Sequence, residues 1–359
     1  MRYLLVRESG GLGDVIRIGA PAKALHQKDP DAYVCVVGIE DYGDILRMLR
    51  GIDEVRTIPY PNNRVHRMDL RFAANAVDFN IGLRQQGKLP NNAINLDKIP
   101  YLAEALAGEW DEIIDLFCPG FAIEYRALKV EFNRNELYCT EAGVYDWTNV
   151  TPEIMVPAQC WDEASKALQS VFPKKFQPLI AFAVRGTDTT RTLPKDKAEQ
   201  LVAAVRSMGM ATVYMDTTPR PELDALGLKR ITTSSWSMLA AFAKGVDAFI
   251  SVDTGAYHLA AAVGTPAVVL AGNQNPDILV RSYPKHVGIA SDEFLSGKSD
   301  QVPFCSPPCT YNPQRGWDPE RCRDRLGGCY FLNSIKTPRI IEGLRSVLVL
   351  GPGRRWSKC

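Results

Sequence analysis

The chain is predicted to be an α/β protein built from two parallel-sheet domains, on three observations. Short apolar runs alternate with segments of helical period, the pattern of strands joined by crossover helices. The 359 residues exceed what one core usually serves, and a hydrophobic fraction of 46% is enough for two. Two strand-to-helix connections, one near each end of the chain, are short, polar and glycine-bearing, as at the ligand crevice of an open sheet.

The first half opens with a strand at 3–6, followed by Arg7-Glu8-Ser9-Gly10-Gly11-Leu12-Gly13-Asp14 and a helix carrying Ile16, Ile18, Ala22 and Leu25 to about His26. A strand at 33–37, a helix near 44–50 and a strand near 55–58 continue the alternation. Residues 62–95 are rich in Asn and Arg with weak periodicity and read as an irregular insertion, with a short strand at 76–81. Two prolines in 151–157 precede a helix at 161–171, and a domain boundary is expected within 155–178.

The second half repeats the pattern. The strand Leu179–Ala183 is followed by the helix 195–208, the strand 211–215, the helix 237–244, the strand Ala248–Val252, the helix 256–263 and the strand Ala267–Ala271. A last helix spans Thr337–Leu350, before a short basic tail. The expected domains are therefore 1–160, 161–335 and a closing segment 336–359.

Asp253, Thr254, Gly255 and His258 fall where strand hands over to helix. Free N–H groups and the positive helix end attract anions there, Gly255 lets a phosphate approach the backbone, and His258 can donate to a phosphate oxygen. The competing structural reading is an Asp253-capped helix with His258 on the surface. After Leu179–Ala183, the loop 184–194 offers Arg185, Thr187 and Arg191 for charge-assisted bonds to a diphosphate, with Pro194 opening the next helix. Asp216 follows another strand and suits a ribose hydroxyl, with Glu222 as its rival.

The glycine loop of Gly11 and Gly13 places Asp14 where a phosphate-binding fingerprint would avoid a carboxylate. A general base suits the position, and a helix N-cap carboxylate is the simpler alternative.

Gly11-Leu12-Gly13-Asp14 and the stretch from Ser251 to Pro266, SVDTGAYHLAAAVGTP, resemble the heptosyltransferase-like glycosyltransferases. The resemblance covers most of residues 1–350. It implies the GT-B architecture, two Rossmann-like domains facing across a cleft, with an N-terminal acceptor-side domain, a C-terminal nucleotide-sugar domain and a last helix crossing back. It also implies transfer of a sugar, heptose from ADP-heptose, to a saccharide, a lipid-linked saccharide of lipopolysaccharide type or a protein hydroxyl. Leu193 stands where Trp is common in the family. No acidic D-x-D pair stands at a convincing strand end, so metal-independent transfer is expected, with no cofactor required for catalysis. A nucleotide-sugar 2-epimerase of similar fold and a non-catalytic nucleotide-binding module stay open.

Cys305, Cys309, Cys322 and Cys329 cluster in a segment rich in Pro, Gly and Arg, where a structural zinc or iron would supply the missing cross-link. Two disulfides or four free thiols are the alternatives. Some heptosyltransferase-like enzymes that glycosylate bacterial autotransporters carry a comparable finger. The other five cysteines are scattered.

A net charge of +1 is not that of a nucleic-acid binder. The basic run Arg64, His66, Arg67 and Arg71 suits an anionic lipid-linked saccharide, or is a solvated loop. No run approaches the roughly 20 apolar residues of a membrane span, so a cytoplasmic protein with at most peripheral membrane contact is expected.

Overall fold

The computed structural model describes residues 1–7, 10–59, 104–116, 133–173, 177–186, 191–216, 219–233, 235–272, 275–292 and 328–350. The insertion 62–95 with its basic run, Thr187, Cys305, Cys309, Cys322 and the tail 351–359 lie outside the described residues. The chain divides into two units, Met1–Glu153 and Ile154–Cys359, parting within the proline-bearing stretch.

In the first unit, β1 (Arg2–Arg7), β2 (Tyr33–Ile39), β3 (Glu54–Ile58) and β4 (Glu112–Asp115) form a sheet in the order β3-β2-β1-β4. All three pairings are parallel. The core packs Leu4 and Val6 of β1 with Cys35, Val37, Ile58 and Leu106. Helices α1 (Leu12–Ile16) and α2 (Gly19–Lys28) follow β1, α3 (Gly43–Met48) follows β2, and α4 (Arg134–Glu141) is the last described helix of the unit.

The single helix expected after the glycine loop is thus two. Pro21 has no N–H for the Arg17 carbonyl, and its ring obstructs a continuous helix there. The Ala20 N–H bonds that carbonyl instead, at 3.0 Å, and the chain turns at Arg17 and Ile18.

The second unit has six parallel strands in the order β10-β9-β8-β5-β6-β7. They are β5 (Leu179–Ala183), β6 (Ala211–Asp216), β7 (Lys229–Thr232), β8 (Ala248–Val252), β9 (Ala267–Ala271) and β10 (His286–Ala290). Every residue of β8 and β9 is buried, which is why these strands read as continuous apolar runs.

The helices are α5 (Ala158–Val171), α6 (Lys195–Ser207), α7 (Pro221–Asp224), α8 (Trp236–Gly245), α9 (Gly255–Ala262), α10 (Pro276–Val280), α11 (Tyr330–Ser334) and α12 (Thr337–Leu350). Leu201, Val202 and Val205 of α6 and Ile340, Leu344 and Val347 of α12 share one core with Ile180, Phe182, Ile250 and Val268. The last helix therefore packs on the sheet of the second unit.

Among the described strands, each sheet has one switch point, where strand order reverses: between β1 and β4 in the first, and between β5 and β8 in the second. Ligands bind open α/β sheets in the crevice outside the strand carboxyl ends at such points. Both predicted polar connections leave strands that border them.

Candidate active site

In the second unit β5 and β8 lie side by side, with Ala183 opposite Ser251. The loop that begins at Val184 and the turn that begins at Asp253 therefore emerge from adjacent strand ends. The cap of α9 is Thr254, whose hydroxyl accepts from the Ala256 N–H at 3.2 Å, and not Asp253. Thr254 has the extended backbone of a cap residue, so its side chain curls over the first turn.

His258 is not a surface residue either. It is 3% exposed, with Nδ1 2.6 Å from the Tyr283 hydroxyl. Its ring lies 3.8 Å from that of Tyr257 and edge-on to that of Tyr283 at 5.5 Å. Small alanines along α9 let the helix sit close to the sheet, and the imidazole is buried with it.

The loop after β5 is closed at its mouth by two backbone bonds, from the Gly186 N–H to the Arg191 carbonyl at 2.9 Å and from the Leu193 N–H to the Val184 carbonyl at 2.8 Å. A Cβ on Gly186 would lie 2.7 Å from the Arg191 Cβ, so only glycine permits this closure. Leu193, in the place of the family's Trp, is buried in the core. The Arg185 guanidinium bonds the Glu222 carboxylate, and Asp216 accepts from Arg220 Nε at 2.7 Å. Both sequence candidates for the ribose thus carry an arginine partner.

In the first unit Gly10 adopts φ 117°, and a Cβ there would lie 2.7 Å from Asp14 Oδ2. The glycine thus makes room for the carboxylate. The N-cap of α1 is Gly11, and Asp14 is the third helical residue, its Oδ2 accepting from the Gly11 N–H at 3.2 Å. Gly13 lies between them in the first turn.

Three guanidinium groups surround Asp14 Oδ1: Arg134 at 2.7 Å, Arg17 at 3.5 Å and Arg7 at 3.7 Å. Burial by itself would raise the carboxyl pKa. The arginines, Arg134 foremost, and the Gly11 N–H outweigh it and hold the group well below the usual carboxylate range.

Sequence reasoning missed Arg134, Tyr283 and the contact that Gly328 and Cys329 make with Thr192. A signal for α4 was present in Asn133, followed three residues later by Glu136, a helix-start signature. Asn133 does cap α4, accepting from the Asn135 N–H at 2.9 Å.

Of the four clustered cysteines only Cys329 is described. It is buried at the start of α11, and a Cβ on Gly272 would lie 2.9 Å from its Sγ. Among the described residues no group of three or more His, Cys, Asp or Glu side chains is arranged to hold a metal ion. No described helix is long and apolar enough to cross a membrane.

Two parallel α/β units, each with a glycine-bearing polar connection at its switch point, are the elements of the GT-B fold class. Residues 160–299, which include the D-T-G stretch, match the model of glycosyltransferase family 9 (heptosyltransferase), the family that the stretch resembles. Among curated proteins none matches the chain.

Solved structures carry the fold likeness over nearly the whole length. A glycosyl transferase family 9 protein from Veillonella parvula is 16% identical with a TM-score of 0.64, over 97% of each chain. The ADP-heptose lipopolysaccharide heptosyltransferase II of E. coli is 14% identical with a TM-score of 0.57, over 98% of this chain and 99% of that one. The iron-containing dodecameric glycosyltransferase TibC of enterotoxigenic E. coli is 13% identical with a TM-score of 0.54, over 96% of this chain and 75% of that one.

Proposed function

We propose that the protein transfers heptose from ADP-heptose to a hydroxyl of a saccharide, a lipid-linked saccharide of lipopolysaccharide type or a protein, with no catalytic metal. The observation that carries this reading is the pairing, at one switch point, of the Asp253-Thr254-Gly255 helix start with the Arg185–Arg191 loop. A diphosphate in that crevice would meet the first amides of α9 and the guanidinium of Arg191, with Thr187 and Arg185 as further donors. Such donors offer preorganised positive potential to the departing diphosphate. His258, buried beneath, orients the floor of the site. Asp216 or Glu222 takes the ribose hydroxyl by exchanging its arginine partner.

Asp14 is the proposed base. Held ionised by its arginines, it can accept a proton at any physiological pH, though as a weak base. Weak basicity suits a transfer in which the sugar–diphosphate bond is largely broken before the acceptor hydroxyl yields its proton. A cytoplasmic location fits a nucleotide-sugar donor and reduced thiols. Cys305, Cys309, Cys322 and Cys329 are proposed to hold a structural zinc or iron.

The test is thermal shift with a panel of nucleoside diphosphates, followed by transfer assays with ADP-heptose and saccharide acceptors. Stabilisation by ADP above other bases is expected, since bound ligand stabilises by mass action. Complete turnover of the nucleotide sugar without any acceptor would overturn transfer in favour of epimerisation. Binding with no turnover under any acceptor would favour the non-catalytic module.

A further inference from the structure

We infer that Gly328 and Cys329 are positioning residues for the nucleotide loop, holding Arg191 in place through the Thr192 carbonyl. The inference rests on the proposal that this loop binds the donor diphosphate.

Thr192 lies between the two backbone bonds that close the loop, the Arg191 carbonyl on one side and the Leu193 N–H on the other. Its own carbonyl takes part in neither of those two bonds. It accepts from the Cys329 N–H at 2.9 Å. A Cβ on Gly328 would lie 2.5 Å from the Thr192 carbonyl oxygen and 2.8 Å from the Pro194 nitrogen, so the two backbones are in direct contact.

The far side of this brace is fixed as well. Cys329 and Leu332 belong to the core of the second unit, and a Cβ on Gly272, next to the end of β9, would lie 2.9 Å from the Cys329 Sγ. The loop mouth is thus held from one side by the end of β5 and from the other by a dipeptide seated in the core. Arg191 precedes Thr192 directly, and a shift of the Thr192 carbonyl would carry the arginine with it. A displacement of about 1 Å is enough to matter for a preorganised site.

Cys329 has φ −76°, within the range proline adopts, so Cys329→Pro keeps the local backbone while deleting the N–H and setting its ring Cδ against the Thr192 carbonyl, which must move away. Cys329→Ala keeps the N–H and removes the thiol, a proposed metal ligand that both variants lose alike, so the comparison between them isolates the N–H. The measurements are titration calorimetry with ADP on the full-length protein, and steady-state kinetics with the nucleotide sugar.

Loss of one such bond predicts that Cys329→Pro binds ADP about three- to tenfold more weakly than Cys329→Ala, with a raised KM for the nucleotide sugar and nearly equal kcat. A purely structural role would lower the melting temperature without separating the two variants in affinity or KM.

Equal ADP affinity in the two variants overturns the brace. If Cys329→Pro does not fold, Gly328→Ala replaces it, because its added methyl must push the Thr192 carbonyl aside; a folded Gly328→Ala with wild-type ADP affinity overturns the inference. Arg191→Ala separates the two levels of argument. Unchanged ADP affinity there removes the nucleotide loop and the brace together, whereas a weakened Arg191→Ala beside equal Pro and Ala variants removes the brace alone.

Discussion

The Nδ1 of His258 lies 2.6 Å from the hydroxyl of Tyr283, a residue 25 positions further along the chain, and both side chains are buried. With the hydroxyl donating, Nδ1 is the acceptor and Nε2 carries the proton, so one phenol sets the tautomer of the only histidine in the D-T-G helix. Tyr283→Phe removes that donor without changing the ring. We expect ADP affinity to fall about three- to tenfold, the worth of one buried hydrogen bond. Imidazole 15N shifts should report the Nε2–H form in the wild type and a mixture in Tyr283→Phe. Identical spectra would show that the hydroxyl does not set the tautomer.

Asp14→Asn keeps the shape and the bond from Gly11 but removes the charge that three arginines surround. General base catalysis typically contributes about 10²–10⁴-fold, so transfer should fall by that order while ADP affinity stays close to wild type. A near-normal transfer rate would reduce Asp14 to a first-turn acceptor.

Arg134→Ala gives the complementary shift. Arg134 is the strongest of the influences holding the Asp14 pKa down, so its removal should move the acid limb of the pH–rate profile to higher pH. An unmoved limb would mean that another group limits the rate in acid.

How much of this was legible depended on where each signal resides. Strands β5, β8 and β9 and helix α12 fall on the bounds their apolar runs predict, because a strand buried on both faces shows as an uninterrupted hydrophobic run. Strand β4, Glu-Ile-Ile-Asp, charged at both ends, and β7, Lys-Arg-Ile-Thr, which opens on two charges, are four residues each, and only pairing with β1 and β6 makes them strands. Asp14 was visible in its loop, but its closest arginine is 120 residues away. The burial of His258 depends likewise on a tyrosine outside the motif. Motifs announce the chain's own turn; they are silent on what folds against it.

Lys23 is 7% exposed and donates to Asn149 Oδ1 at 2.9 Å, the Thr151 carbonyl at 2.7 Å and Glu153 Oε1 at 2.9 Å. It ties α2 to the stretch that ends the first unit. Lys23→Met preserves length but leaves these acceptors short of a donor, and a loss of about 2–3 kcal/mol in unfolding free energy is expected. Glu153 keeps Arg50 at 2.8 Å, and its side chain is 41% exposed, which caps the cost. Denaturant melts of the two proteins at pH 7 would measure it, and a difference below about 1 kcal/mol would show that water replaces the ammonium.

His286 gives the pH dependence its clearest sign. Burial pushes its pKa from 6.5 down to about 4, against the opposing bond from Nε2–H to the Tyr257 carbonyl at 3.0 Å. The folded protein therefore keeps this imidazole neutral where the unfolded chain protonates it. Between about pH 6.5 and 4 the unfolded state binds the extra proton, so the contribution is fully present above that window and is lost as pH falls through it. A tenfold difference in proton affinity between the two states is worth about 1.4 kcal/mol, so a few kcal/mol of stability should disappear across the window. His286→Gln retains a donor for the Tyr257 carbonyl and cannot titrate. Its unfolding free energy should decline less steeply from pH 6.5 to 4 than that of the wild type, measured by urea melts at half-unit steps. Parallel slopes would assign the acid sensitivity of the second unit to other groups.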